Sequence, residues 1–250
     1  VAKNKQLIII PTYNEKENIT ALIDRLLAEI TSTDILVVDD QSPDGTASLV
    51  VNTYKDNPRI SVMNRTGVRG LGRSYVDGYI HAVRQDYDRV AQMDADLSHD
   101  PKYLPRMFSE ASAYDLVIGS RYCPEGGVAN WPYHRYLLSR FANSYVANIT
   151  GLRIRDATSG FRVYTRAALN RIPLERIHSN GYAFQVEMTY VAFHLGLKIV
   201  ESPIVFTDRR LGKSKISRKV LIESMIMPWR LRFGGSMREI QKSVKSSHPR

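Results

Sequence analysis

An α/β fold, with a Rossmann-like and mostly parallel sheet flanked by helices, is predicted by three features of the sequence. Short apolar runs alternate with helical stretches at intervals of 20–30 residues, the rhythm of linked βαβ units. The first of them, Leu7 to Ile10, is continuously apolar, as expected of a strand buried on both faces. Polar and acidic clusters follow several runs directly, and ligands of open α/β sheets lie beyond the carboxyl ends of the strands.

The first run, Leu7 to Ile10, stops at Pro11 and reads as a buried strand. Asn14 is expected to cap a helix over roughly residues 16–30, where Ile19, Leu22, Ile23, Leu26, Leu27 and Ile30 recur at helical spacing. Ile35 to Val38 is the second strand, and Asp44 or Thr46 opens the next helix. Ile60 to Met63 is the third strand. A turn containing Gly67, Gly70 and Gly72 leads into a helix carrying Tyr75 to Val83. Arg89 to Met93 is the fourth strand, ending in Asp94, and Leu116 to Gly119 the fifth. No repeat, low-complexity block or linker interrupts the chain before about residue 210. The expected organisation is one catalytic domain over residues 1–215 and a basic, amphipathic extension over 216–250.

Composition narrows the function. A hydrophobic fraction of 43% excludes a disordered chain. The single cysteine, Cys123, can form no internal disulfide, which suits a reducing compartment. The formal charge of +10 is localised: residues 1–208 hold 23 basic and 23 acidic side chains, residues 209–250 hold 12 and 2. Such a tail seeks an anionic surface. Nucleic acid is disfavoured as that surface, because only Trp229 and Phe233 offer stacking rings in the tail and the body is neutral. No apolar stretch reaches 18 residues and no signal peptide opens the chain, so the expected location is cytoplasmic, peripheral on the inner face of a membrane.

The chemistry is carried by the strand ends. In Asp94-Ala95-Asp96 two carboxylates one residue apart can face one ligand if the backbone turns. Mg²⁺ or Mn²⁺ takes carboxylate oxygens on one side and diphosphate oxygens on the other. A solvated turn is the plainer reading of such a pair, but its position after a third acidic or polar strand end favours the metal. Asp39-Asp40 offers a carboxylate to a nucleobase, while Asp44 and Thr46 serve the helix start. Arg65, Arg69 and the glycines of Arg69-Gly70-Leu71-Gly72 either approach phosphate or form a tight turn only.

These segments, together with Pro11-Thr12-Tyr13-Asn14-Glu15, Asp94-Ala95-Asp96-Leu97-Ser98-His99, Gly119-Ser120-Arg121-Tyr122, Asp156-Ala157-Thr158-Ser159-Gly160-Phe161-Arg162, Gly181-Tyr182-Ala183-Phe184-Gln185-Val186-Glu187 and Phe206-Thr207-Asp208-Arg209-Arg210-Leu211-Gly212-Lys213-Ser214-Lys215, resemble the inverting family 2 glycosyltransferases of GT-A fold. Within them the chain resembles the polyprenol (dolichol) phosphate mannose synthases over about residues 6–216. The resemblance implies GDP-mannose as donor, polyprenyl phosphate as acceptor and Mg²⁺ or Mn²⁺ as cofactor. It implies that Pro11, Tyr13, Glu15 and Asp40 hold the nucleoside, with Asp39 and Ala95 in the same donor site. Asp94 and Asp96 bind metal and donor, Arg209 and Lys215 grip the phosphates, and Arg121, Arg135 and Ser139 receive the acceptor phosphate. Ser98 occupies the third metal-facing position, where the family often has Gln.

A lipid phosphate is largely dianionic at neutral pH and attacks without a general base, needing cations to steer it. The segment Trp131 to Leu138, and the apolar residues Val220-Leu221-Ile222, Met225-Ile226-Met227 and Trp229 between Lys219, Arg230 and Arg232, are expected at the membrane interface. Pro228 is expected to break the second of these helices. A membrane-anchoring protein partner is expected by analogy. The alternatives are a glucosyltransferase using UDP-glucose and a noncatalytic nucleotide-binding scaffold.

Overall fold

The computed structural model describes residues 4–177, 179, 181–208 and 218–234. Its centre is a seven-stranded sheet of β1 (Gln6–Thr12), β2 (Asp34–Asp39), β3 (Ile60–Asn64), β4 (Arg89–Gln92), β5 (Leu116–Ser120), β7 (Arg162–Thr165) and β8 (Ile199–Pro203), in the order β3-β2-β1-β4-β7-β5-β8. All pairings are parallel except those of β7, which runs antiparallel to both β4 and β5. A small parallel pair, β6 (Gly127–Ala129) and β9 (Val205–Thr207), stands apart.

Residues of β1 are buried on both faces, so its period-2 alternation feeds two cores. Leu7 and Ile9 point into one, with Leu36, Val38, Tyr75, Tyr79 and Phe184. Ile8 and Ile10 point into the other, with Ile19, Leu22, Leu26, Ile35 and Val37. Helices α3 (Leu71–Arg84), α6 (Arg166–Arg171) and α7 (Gly181–His194) supply the first core; α1 (Ile19–Glu29), α2 (Thr46–Thr53) and α4 (Leu104–Glu110) cover the second. Helix α3 lies so close to β1 that a Cβ at Gly78 would come within 2.8 Å of the Ile9 side chain.

Several expectations are corrected. Asn14 does not cap α1; it sits in the left-handed region (φ 54°), and the helix starts about three residues later than expected, at Ile19 behind Asn18. Pro228 does not break its helix. Helix α8 (Arg218–Phe233) runs through it, packed on α7 and on α5 (Tyr133–Thr150), with Met227 and Leu231 buried in the first core. Tertiary packing offsets the missing N–H, and Tyr145 of α5 donates a hydrogen bond to the nearby Met225 carbonyl at 2.8 Å. Among the described residues no helix is long and apolar enough to cross a membrane.

The topology decides what meets where. The carboxyl ends of β1, β2, β4, β5 and β8 share one edge, and antiparallel β7 begins at that edge. The loop leading into Arg162 therefore joins Asp39-Asp40, Asp94-Ala95-Asp96, Arg121 and residues 204–208 on the same side.

Candidate active site

Each of the loops leaving β1, β2 and β4 contains a non-glycine residue in the left-handed region: Asn14 (φ 54°), Gln41 (φ 64°) and Leu97 (φ 62°). Such strain collects where a fold must aim side chains at a ligand. After β4, Asp96 accepts hydrogen bonds on Oδ1 from the Ser98 backbone N–H at 3.1 Å and from the Ser98 hydroxyl. Ser98, 2% exposed, thus fixes the Asp96 carboxylate. Asp94 accepts from the Tyr75 hydroxyl at 3.1 Å, and its own N–H donates to His99 Nδ1 at 3.2 Å. Burial, followed by the charge of Asp94, holds the Tyr75 hydroxyl far above its ordinary pKa, so it remains a donor. Burial keeps His99 below its ordinary value despite the acids around it, so the ring is neutral and Nδ1 accepts.

Gly160 shapes the other side of Asp94. A Cβ there would lie 3.3 Å from Asp94 Oδ2 and 3.6 Å from the His99 ring. With no Cβ, Gly160 does not crowd the carboxylate. Among the described residues no three His, Cys, Asp or Glu side chains converge into a metal cage. The donor set still fits a hard divalent ion that takes one or two carboxylates and completes its shell with water and substrate phosphate. Asp94 and the pre-oriented Asp96 are the carboxylates that could supply it.

The expected nucleoside acids differ from one another. Asp39, 3% exposed, is occupied by Thr12 Oγ1 (2.8 Å), Ser42 N (2.9 Å) and Ser42 Oγ (2.6 Å), which tie the β1 and β2 ends together. Asp40 pairs with Arg65 and accepts from Gly70 N–H at 2.7 Å, leaving each oxygen further acceptor capacity. Arg65 is spent on Asp40, on Asp77 (2.6 Å) and on the Val68 carbonyl (3.2 Å). Of the two readings, phosphate approach or a tight turn, these contacts fit the turn for Arg65, whose cation orients Asp40. Arg69 donates to the Tyr13 hydroxyl at 2.6 Å and lies over its ring. Pro11 is buried, Tyr13 and Glu15 are partly exposed at the same edge, and Ala95 is 4% exposed in the acidic turn.

Arg121 follows β5 and forms a two-pronged pair with fully buried Asp156: Nε to Oδ2 at 2.7 Å and Nη2 to Oδ1 at 2.6 Å, with Thr158 Oγ1 at 2.9 Å. Burial alone would lower the arginine pKa, and Asp156 overrides it, so the charge is permanent. The same guanidinium lies 5.5 Å from the Phe206 ring and 5.6 Å from Trp131. Phe206 in turn packs edge-on to His99 at 5.2 Å. Arg135, on α5, pairs with Asp208 at 2.7 Å and covers Trp131 at 4.2 Å. Ser139 accepts from the Tyr122 hydroxyl at 2.7 Å. The structure therefore gathers the acid pair, Arg121, Arg135 and Ser139 along one edge. Arg209 and Lys215 lie outside the described residues, as do the side chain of Lys219 and residues 235–250. Tyr75, His99, Asp156 and Gly160 received no individual role from the sequence; His99, five residues past Asp94, was the one within reach of local reasoning.

The Glycosyl transferase family 2 model matches residues 7–173, more than half of the chain. A polyprenol monophosphomannose synthase of Mycolicibacterium smegmatis is 43% identical over 232 residues, covering 91% of this chain and 88% of that protein. An undecaprenyl-phosphate mannosyltransferase of Micrococcus luteus is 42% identical over 220 residues, covering 88% and 90%. Among solved structures, glucosyl-3-phosphoglycerate synthase from Mycobacterium tuberculosis, crystallised with Mn²⁺, UDP and glucosyl-3-phosphoglycerate, superposes with a TM-score of 0.68 at 19% identity, covering 93% of this chain and 81% of that one. That likeness identifies the GT-A architecture, and the sequence match is the closer kinship: the chain is a glycosyltransferase and belongs to glycosyl transferase family 2.

Proposed function

We propose that the protein transfers mannose from GDP-mannose to a polyprenyl phosphate, inverting the anomeric centre, with Mg²⁺ or Mn²⁺ as cofactor. The substrate class is supported by two relatives above 40% identity that are named for polyprenol or undecaprenyl phosphate mannosylation. The observation that carries the chemistry is that the Asp94/Asp96 turn and Arg121 meet around one aromatic cluster. His99, Phe206 and Phe161 form it, with His99 feeling the charge of Asp94, Asp96 and Arg121 together.

Asp94 and Asp96 hold the ion in this reading, and Ser98 acts through Asp96. When bound, the ion offsets the charge that develops on departing GDP. Asp40, set by Arg65 and Gly70, accepts from the base, with Pro11, Tyr13 and Glu15 around the nucleoside. Arg209 and Lys215 hold the donor phosphates. Arg121 and Arg135 bring in the acceptor phosphate, which is already ionised and needs no proton removed. Fixing both phosphates supplies the positioning that lowers the barrier.

The acceptor tail needs an apolar surface. Tyr133, Leu137, Leu138 and Phe141 of α5 and Met225, Ile226, Trp229 and Phe233 of α8 are exposed. Trp229 Nε1 donates to Tyr145 at 2.8 Å, joining the two helices into one face. Such a face suits peripheral membrane association. The deciding experiment compares radiolabelled GDP-mannose and UDP-glucose as donors to polyprenyl phosphate. The expected product is lipid-extractable β-mannosyl phosphate from GDP-mannose; label transferred only from UDP-glucose contradicts the reading.

A further inference from the structure

Beside α5 lies a groove of about 610 Å³ lined by Tyr122, Arg140, Asn143, Ser144, Arg153 and Arg155, among others. It contributes no residue to the donor site. Three guanidinium groups surround one concavity, and among the described residues no carboxylate lines it. Among the described residues none of the three is ion-paired. The nearby acid, Glu201, accepts from the backbone N–H groups of Arg155 (3.0 Å) and Asp156 (2.9 Å). Arg140 is held over the Tyr122 and Tyr136 rings at 5.4 and 5.9 Å. Like charges gathered without counter-charge repel, and an anion with several oxygens relieves that repulsion through forked donors.

The groove also adjoins apolar surface. Arg140 and Ser144 stand within one turn of Leu137 and Phe141 on α5, and both of those are strongly exposed. A phosphate in the groove would place an attached chain along that stripe. We propose that this groove is a second anion site that takes the phosphate of an anionic membrane lipid, separate from the acceptor phosphate held by Arg121 and Arg135. Tyr122 and Asn143 connect it to the acceptor site: Tyr122 donates to Ser139, and Asn143 donates to Thr158, which also receives Arg121. The lipid source rests on the membrane reading above; the anion site rests on the groove itself.

The test is flotation of the full chain with phosphatidylcholine vesicles, with and without phosphatidylglycerol, at low salt. It compares wild type with the triple variants Arg140→Gln/Arg153→Gln/Arg155→Gln and Arg140→Lys/Arg153→Lys/Arg155→Lys. The Gln variant is expected to lose roughly fivefold in affinity for anionic vesicles per arginine removed, while transfer to a short, detergent-dissolved acceptor stays within about twofold. The Lys variant, keeping charge but losing the fork, is expected to fall between. Wild-type binding by the Gln variant, or full recovery by the Lys variant, overturns the site. Titration with inorganic phosphate alone separates the sources: competition with vesicles at equal phosphate concentration overturns the lipid assignment. Absence of transfer by wild type with every donor would sink the proposed reaction while leaving the vesicle result to judge the groove.

Discussion

Replacing Gly160 with alanine separates placement of Asp94 from stability. The new Cβ would stand 3.3 Å from Asp94 Oδ2 and 3.5 Å from Oδ1. Comfortable contacts begin near about 3.5 Å, so the carboxylate must retreat by a few tenths of an ångström. Gly160 is not in the left-handed region, so alanine brings no backbone strain there. The substitution also restricts the unfolded chain, worth about 0.4–1 kcal/mol in favour of folding. The melting temperature should therefore stay within about 3 °C of wild type. Catalysis is less tolerant: a 1 Å misplacement costs about 100-fold, so this smaller shift should reduce kcat about tenfold. Steady-state transfer at saturating donor and acceptor, paired with a thermal melt, reads both quantities. Unchanged kcat would refute the placement of Asp94 in the reaction, and a melting temperature lowered in step with kcat would refute the separation.

Other outcomes follow from the same geometry. Arg121→Met should destabilise by about 3–5 kcal/mol, because it strands fully buried Asp156; in urea melts, Arg121→Met/Asp156→Leu should recover much of that loss. Arg135→Ala, which breaks a half-exposed pair, should cost under about 1 kcal/mol yet raise KM for the lipid acceptor about tenfold. Stability should fall as pH drops from 7.5 to 5.5, because the unfolded chain binds protons near 6.5 that buried His99 refuses, by at most about 1.4 kcal/mol per pH unit. His81 and His194 shift the same way, so the His99 share is the difference in pH slope between wild type and His99→Phe. Equal slopes would remove it.

The part of the fold read from sequence was the part written in local pattern. Leu7 to Ile10, Ile35 to Val38 and Leu116 to Gly119 are apolar runs with turn residues behind them, and each is a strand. Strand β7 was hidden because it opens on Arg162, a charged residue that is nonetheless fully buried. Arg162 satisfies its donors locally, on the Ser159 and Ala157 carbonyls and the Tyr164 hydroxyl, while its burial comes from the strands paired on either side. Helix α7 was recognised only as a motif: it is buried nearly all round, so it has no polar face to mark its period. At the site, the acids at strand ends were legible because position in an α/β sheet implies exposure to ligand. Their partners were not. Arg65 reaches Asp40 across 25 residues and Arg121 reaches Asp156 across 35, and no local pattern encodes which arginine pairs with which acid.

The proposed reaction depends on a cation shared between Asp94, Asp96 and the donor diphosphate. Its most direct test is Mn²⁺ binding followed by electron paramagnetic resonance, with and without GDP, in wild type, Asp94→Asn and Asp96→Asn. The prediction is tight Mn²⁺ binding in wild type only when GDP is present, and its loss in both variants while their melting temperatures hold. Equal GDP affinity in the presence of EDTA, or wild-type Mn²⁺ binding by either variant, would contradict it.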